Sequence, residues 1–267
     1  MKISNLVLSG GGYNTFTILG ALDVLHEAGA LDSLECLAGA SAGAIMSVLL
    51  ALGFAPREIC DLEESLMHNC LQFNDLGSFT STGCPLTFHP LKTALSKLMD
   101  RFPDIETLAD LLHKMGKNVT IVATRIMSGE PEYFDAYSAV QYPIVDLLLA
   151  SASLPMLFEP TKLGGSAYWD GGLTDPLPIQ LFPPEETLAV NLSYDSTSRA
   201  SPLVHLSRIC TESTTRLKLS YLTTYTIITV EKPESSSSIV NCNTSDKLKM
   251  FLSGQTQMRD SKSTYVA

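Results

Sequence analysis

Five residues restrict this chain more than any others: Gly39-Ala40-Ser41-Ala42-Gly43, set between an apolar run from Leu34 to Ala38 and an almost wholly apolar stretch that reaches Leu52. The run reads as a short strand, the later stretch as a helix from Ala42 to about Leu52, and the five residues as the tight turn between them. A serine with a glycine two residues away on each side, after a strand and before a helix, has the pattern of a nucleophile elbow. Such a turn strains the backbone at Ser41 so that its Oγ projects from the sheet edge. Glycine at 39 and 43 lets neighbouring backbone crowd in. The helix behind Ser41 brings free N–H groups and the positive end of a dipole to the place where an oxyanion would form. An isolated match also fits a small-residue turn where a helix packs closely on a strand, so other stretches have to decide.

The N-terminus supplies one of them. Ile3 to Leu8 reads as a strand, Ser9-Gly10-Gly11-Gly12 as a turn, and Thr15 to Ala28 as a helix with Phe16, Leu19, Leu22 and Leu25 at helical spacing and Gly29 as its stop. Strand, glycine turn, helix, strand, elbow and helix make a β-α-β opening to an α/β sheet. A dinucleotide turn would want a third glycine where Thr15 stands, and a phosphate loop would want Gly-Lys followed by Ser or Thr. The remaining reading is a backbone cradle: strands 1 and 2 of such a unit are neighbours, so the N–H groups of Gly10, Gly11 and Gly12 would reach a negative oxygen forming at Ser41.

Further along, helices are predicted over Pro56–Asn69, Pro90–Arg101 and Ile105–Lys114, the last with Asp104 as N-cap and Gly116 as stop. The loop from Phe73 to Phe88 reads as a connector, with a lid or membrane-contact loop as the alternative. Asn118–Ile126 is a strand and Glu132–Tyr137 its hairpin partner, followed by a helix over Pro143–Ala152. Tyr168 and Trp169 end a short strand, and Asp170 begins the turn Asp170-Gly171-Gly172. Aspartate before two glycines is an ordinary turn residue; it is also a carboxylate held at a strand end, of the kind that can take a proton from a serine. Strands at Thr187–Leu192 and Tyr225–Val230, helices at Leu203–Leu219 and Ser245–Arg259, and a flexible surface loop over Pro233–Ser238 complete the reading. No linker demands a second domain.

Composition narrows the partners. The chain has 267 residues, 45% of them hydrophobic and 17% charged, with a net charge of −10. That balance suits a globular chain and offers no basic run for nucleic acid. Strong electrostatic docking on anionic membranes is disfavoured too, leaving apolar surface or a local patch for any lipid contact. No stretch reads as a transmembrane helix or a secretory signal. The cysteines (36, 60, 70, 84, 210 and 242) lack metal-site spacing and read as reduced, mostly buried thiols in a cytoplasmic protein. The sequons at Asn118 and Asn243 then read as chance. The histidines at 26, 68, 89 and 113 share no spacing, so neither a metal nor another cofactor is expected.

Taken together, the triple glycine at 10–12, the elbow around Ser41 and the Asp170-Gly171-Gly172 turn resemble the patatin-like phospholipase family, in the family's order. The stretch Ala150-Ser151, Ser153, Pro155, Phe158 and Pro160 precedes the aspartate as it does there. The resemblance covers roughly residues 3–192. It implies a three-layer α/β fold with a mostly parallel sheet and a single domain of residues 1–267. It also implies a Ser41–Asp170 dyad without histidine, an oxyanion hole at Gly10, Gly11 and Gly12, and glycerolipid ester substrates met at a membrane or lipid surface. Two positions depart from the family pattern: Asn14 stands where Arg or Lys is usual, and Pro176 replaces an asparagine after the aspartate turn, while Pro178 matches.

Other readings stay open. Ser41, Asp170 and His205 follow the chain order of an α/β-hydrolase triad, although the elbow comes after only two strands and His205 falls in a helix beside Leu203, Leu206 and Ile209, a setting for a partly buried structural histidine. A lipid-binding protein that keeps the fold without the chemistry is a second alternative.

Overall fold

A computed structural model describes residues 2–67, 72–73, 80, 83–193, 202–233 and 244–265. The strands are β1 (Asn5–Leu8), β2 (Cys36–Ala40), β3 (Gln72–Phe73), β4 (Leu86–Thr87), β5 (Asn118–Arg125), β6 (Pro131–Phe134), β7 (Thr161–Leu163), β8 (Ser166–Asp170), β9 (Thr187–Ser193) and β10 (Thr226–Glu231). The helices are α1 (Phe16–Glu27), α2 (Ala42–Ala51), α3 (Pro56–Met67), α4 (His89–Met99), α5 (Leu108–Met115), α6 (Ile144–Ser151), α7 (Pro202–Tyr221) and α8 (Thr244–Tyr265). Each predicted element is present, with ends shifted by a few residues. The Pro233–Ser238 loop, apart from Pro233, and half of the 73–88 segment (74–79 and 81–82) lie outside the described residues; β3 and β4, near the two ends of that segment, pair with each other antiparallel.

The eight-stranded sheet runs β10-β9-β1-β2-β5-β8-β7, with β6 also on β5. β10, β9, β1, β2 and β5 pair in parallel, each pair needing a crossover, which the intervening helices supply. β1 and β9 are buried almost throughout, as expected for parallel strands covered on both faces. β6 and β8 run against β5 and supply the antiparallel part.

Pairing on β5 fixes where the chain ends of two strands meet. β2 pairs with residues 118–122 of β5, β6 with 121–124 and β8 with 123–125. One residue has only two sheet edges, so β6 must lie opposite both β2 and β8. β2 and β8 therefore share an edge and meet head to head: Ala40 is paired with Val122 and Asp170 with Ala123.

α1 departs from the amphipathic helix that its periodicity suggests. All ten residues from Phe16 to Leu25 are buried, including Thr17 and Asp23. A helix enclosed on every side needs neighbours beyond the sheet, and α3 and α8 provide them. Asp23 takes Arg57 of α3 at 2.7 Å and Gln255 of α8 at 2.7 Å. α8 runs parallel to α1 in backbone contact: a Cβ on Gly20 would lie 1.9 Å from Phe251 O, and one on Gly254 would lie 1.9 Å from Thr17 O.

Asp104 does not cap the helix at 105–114. The cap is Thr107, whose hydroxyl accepts from Asp110 N at 3.2 Å while the Asp110 carboxylate accepts from Thr107 N at 2.8 Å. That reciprocal capping box satisfies two free ends at once and outcompetes a lone aspartate three residues earlier. Gly116 closes the helix in the left-handed conformation, as expected. Among the described cysteines, none is bonded to another; Cys84 is buried, Cys36 and Cys60 are half-buried, and Cys210 is exposed, so the thiols are less buried than composition suggests.

Candidate active site

Ser41 sits between β2 and α2 at φ 55°, ψ −127°, one of two non-glycine residues with positive φ among the described residues. A backbone in that region costs on the order of 1–3 kcal/mol and persists only when its surroundings over-determine it. The surroundings are visible. A Cβ at Gly39 would lie 2.5 Å from Gly43 C and O, and one at Gly43 would lie 2.4 Å from Leu8 O, so the elbow is pressed onto the end of β1 and admits no side chain at either place. Ser41 N–H donates to Ser151 Oγ at 2.8 Å, and Ser151 Oγ donates to Val122 O at 2.6 Å. The strained residue is thus tied through one buried hydroxyl to the middle of β5.

Asp170 ends β8 and caps the short turn that follows, its Oδ1 accepting from Gly172 N at 2.7 Å. Its own N–H donates to Ser153 O at 2.8 Å, and its carbonyl accepts from Thr124 Oγ1 at 2.8 Å. Ser151 and Ser153 therefore hold the two key residues from a single stretch of chain at the end of α6. Sequence reading picked out both serines as part of a pattern and gave neither this task.

The Ser41 side chain is one of the two groups that act on the Asp170 carboxyl, and it lowers the proton affinity of that carboxyl. The carboxyl is buried, and its pKa is raised to about 6; loss of hydration is the largest cause, opposed by the Ser41 side chain and the bond from Gly172 N–H. No histidine is among the groups acting on it. His205 lies on α7, exposed rather than half-buried as the sequence suggested.

The glycine turn arrives at the same place. β1 and β2 are neighbours, with Leu8 paired to Gly39, and a Cβ at Gly10 would lie 3.1 Å from Ser41 Cβ. Gly12 has φ 56° and opens a short 3₁₀ turn through Thr15. Among the described residues, no bond takes up the N–H of Gly10 or of Gly12. Ser41, Asp170 and the glycine turn, widely separated in sequence, are thus gathered at one end of the sheet.

Pro176 does not leave the aspartate turn unsupported. Thr174 N and Asp175 N both return to Gly171 O, at 3.2 and 2.9 Å. Asp175, 1% exposed, accepts from Tyr133 at 2.7 Å, from Gln180 and from Lys218 of α7. Burial and the Asp175 carboxylate push the Tyr133 hydroxyl well above its ordinary pKa. Thr211 of α7 donates to Gly172 O at 3.1 Å. Neither Asp175 nor Thr211 was singled out from sequence; a lone acid in a proline-rich turn carries no pattern.

The model of the patatin-like phospholipase family matches residues 6–183. The chain belongs to that family. It is 27% identical over 186 residues to Probable lipid hydrolase 463L of Invertebrate iridescent virus 6, covering 66% of this chain and 62% of that protein. It is 30% identical over 200 residues to the uncharacterized protein YqhO of Bacillus subtilis, covering 67% and 66%. This patatin-like chain thus spans a little under two-thirds of the relatives it matches. Among solved structures it resembles VipD from Legionella pneumophila, with a TM-score of 0.62 at 17% identity over 97% of this chain and 66% of that one. It also resembles human GIVD cytosolic phospholipase A2, with a TM-score of 0.50 at 12% identity over 98% of this chain and 58% of that one. These likenesses bear on the fold. The family match stops short of β9, β10, α7 and α8, so the two helices that clamp the aspartate turn and α1 lie beyond it.

Proposed function

We propose that this chain is a lipid acyl hydrolase of the phospholipase A or lysophospholipase type, cutting carboxylic esters through Ser41 and Asp170. The observation that carries the reading is the meeting of a hydroxyl on a strained turn with a buried carboxylate on which it acts, the two delivered by strand ends at consecutive places on β5, and with the carboxylate's proton affinity raised toward neutrality. A carboxylate of ordinary acidity is a poor base. One near 6 is ionised at neutral pH yet basic enough to draw a proton as the hydroxyl attacks.

In the first half-reaction Ser41 Oγ adds to the ester carbonyl while its proton passes to Asp170. The tetrahedral oxyanion sits against the N–H groups of the glycine turn, each such donor being worth about 2.7–4 kcal/mol of barrier. Collapse expels the alcohol, which takes the proton back from Asp170, and leaves an acyl group on Ser41. Water then repeats the sequence: it gives a proton to Asp170 as it attacks the acyl carbon, and the fatty acid leaves as Ser41 recovers the proton.

The groups acting on Asp170 are Ser41 and Gly172, which favours the dyad over a triad completed by His205. Family membership and the viral relative's name, Probable lipid hydrolase, support lipid esters as substrates. No described helix is long and apolar enough to cross a membrane; the reading has lipid met at a membrane or lipid surface.

The test is hydrolysis of phospholipid, lysophospholipid and soluble esters, with fluorophosphonate labelling, by wild type, Ser41→Ala, Asp170→Asn and His205→Ala. Activity and labelling are expected in wild type and His205→Ala and lost in the other two. A folded but inactive His205→Ala restores the triad; a folded wild type that neither labels nor turns over any ester indicates lipid binding without catalysis.

A further inference from the structure

The glycine turn contains a polar atom that its neighbours leave unanswered. Asn14 is 1% exposed, and both its backbone N–H and its Nδ2 donate to Gly11 O, each at 3.2 Å. Two donors on one carbonyl polarise the Gly11–Gly12 peptide and strengthen the Gly12 N–H at its far end. The other end of the Asn14 amide, Oδ1, is buried and has no partner.

Across the seam stands the start of α8. Because α8 runs parallel to α1, its first turn lies at the same end as the glycine turn and packs against residues 12–15. Lys247 is in that first turn, 3% exposed. Its Nζ has no hydrogen-bond partner and lies 5.5 Å from the centroid of the Phe16 ring, the residue that follows the turn. Its neighbour Asp246 pairs with Lys249 at 3.6 Å. A buried ammonium without a carboxylate is costly to keep, and an aromatic face recovers only part of the lost hydration. Asn14 Oδ1 on the turn, Lys247 Nζ on α8 and Thr17 Oγ1 on α1 are thus all buried without a hydrogen-bond partner, and the oxygen and the ammonium are not bonded to each other.

The N-terminal unit has no cation of its own to offer, since no lysine or arginine occurs between Lys2 and Arg57. The positive charge behind the glycine turn comes instead from the far end of the chain.

We propose that Lys247 is a positioning residue for the proposed hydrolysis: its buried ammonium polarises the Asn14 amide through space, without a bond to it, and the amide in turn polarises the Gly11–Gly12 peptide, so that the Gly12 N–H binds the oxyanion more strongly. The proposal rests on the Ser41–Asp170 reading. Lys247 touches neither substrate nor reacting atoms, and its effect grows with the charge on the oxygen. It therefore belongs to kcat rather than KM.

The experiment compares wild type, Lys247→Met, Lys247→Gln, Lys247→Arg, Asn14→Leu and the Asn14→Leu/Lys247→Met double variant in the full chain. It measures kcat and KM on a soluble ester, the fluorophosphonate labelling rate and the thermal midpoint, with activity normalised to labelled sites. Lys247→Met and Lys247→Gln are expected to lose about tenfold in kcat and in labelling rate, with KM held within twofold. The midpoint of Lys247→Met should not fall, because a similar volume is kept and an unpaired charge removed. Lys247→Arg should return most of the loss, and the double variant should be no slower than the worse single one. Wild-type kcat in Lys247→Gln, or a lowered midpoint with unchanged kcat per labelled site in Lys247→Met, assigns the side chain to packing and overturns the proposal. A folded wild type that neither labels nor turns over overturns the hydrolase reading itself, a result distinct from loss of the Lys247 effect alone.

Discussion

Asp170→Asn should make the protein more stable while removing its activity, and the gain should depend on pH in a defined way. Burial raises the carboxyl from the ordinary aspartate value of 3.8 to about 6. At about 1.4 kcal/mol per unit, the ionised group costs the native state on the order of 3 kcal/mol. The sign follows from proton binding. Between pH 4 and 6 the folded protein holds this proton and the unfolded chain has released it, so stability falls as pH rises through that window. Above about 6 the cost is complete; below 4 both states are protonated and it disappears. Asparagine keeps an acceptor for Gly172 N–H and an amide for Ser41 Oγ, so the shape of the site is kept while its charge goes. Urea unfolding of both proteins at pH 8 and pH 4 measures the effect. The variant is expected to be about 2–3 kcal/mol more stable at pH 8, with the difference closing toward zero at pH 4. A variant less stable at pH 8, or an advantage that does not change with pH, would refute an ionised, poorly solvated Asp170.

Ester hydrolysis should rise with pH through about 6 as Asp170 ionises, and a kcat/KM profile flat across pH 5–7 would remove it as the base. Ser151→Ala leaves Ser41 N–H and Val122 O buried without their partner; each such group costs about 1–3 kcal/mol, so a lower melting midpoint and a kcat loss larger than any KM change are expected from calorimetry and kinetics. Gly254→Val drives a Cβ onto Thr17 O and should cost at least about 3 kcal/mol, or roughly 6–12 °C in midpoint. Lys218→Met strands the buried Asp175 charge, which typically costs about 3–5 kcal/mol; an unchanged midpoint would show that α7 does not brace the aspartate turn.

The parts of the site that were legible in sequence are those where backbone geometry dictates residue type. Gly39 and Gly43 can be read because nothing larger fits against Gly43 and Leu8. The glycine turn could be placed beside Ser41 because consecutive strands of a β-α-β unit are neighbours. What escaped depends on contacts between distant segments. Thr107 wins over Asp104 as a cap only because Asp110 reciprocates. The full burial of α1 arises from α8, more than two hundred residues later, through close contacts at Gly20 and Gly254 that no local pattern announces. Ser151 and Ser153 carry an obvious spacing, but their work lies in a hydrogen bond to Ser41 N–H and one from Asp170 N–H. Nor does periodicity show that β8 runs against β5, the arrangement that delivers Asp170.

That arrangement makes β5 a measuring rod. Neither Val122 nor Ala123 has any chemistry to offer, yet their consecutive places on one edge set the interval between the chain carrying Ser41 and the chain carrying Asp170. The interval is written in peptide spacing, so side chains along β5 are free to change as long as they stay strand-like and fill the core. A single residue inserted between 122 and 123 would leave the elbow, the glycine turn and the aspartate turn intact as words in the sequence, and would separate Ser41 from Asp170 by one step of the strand.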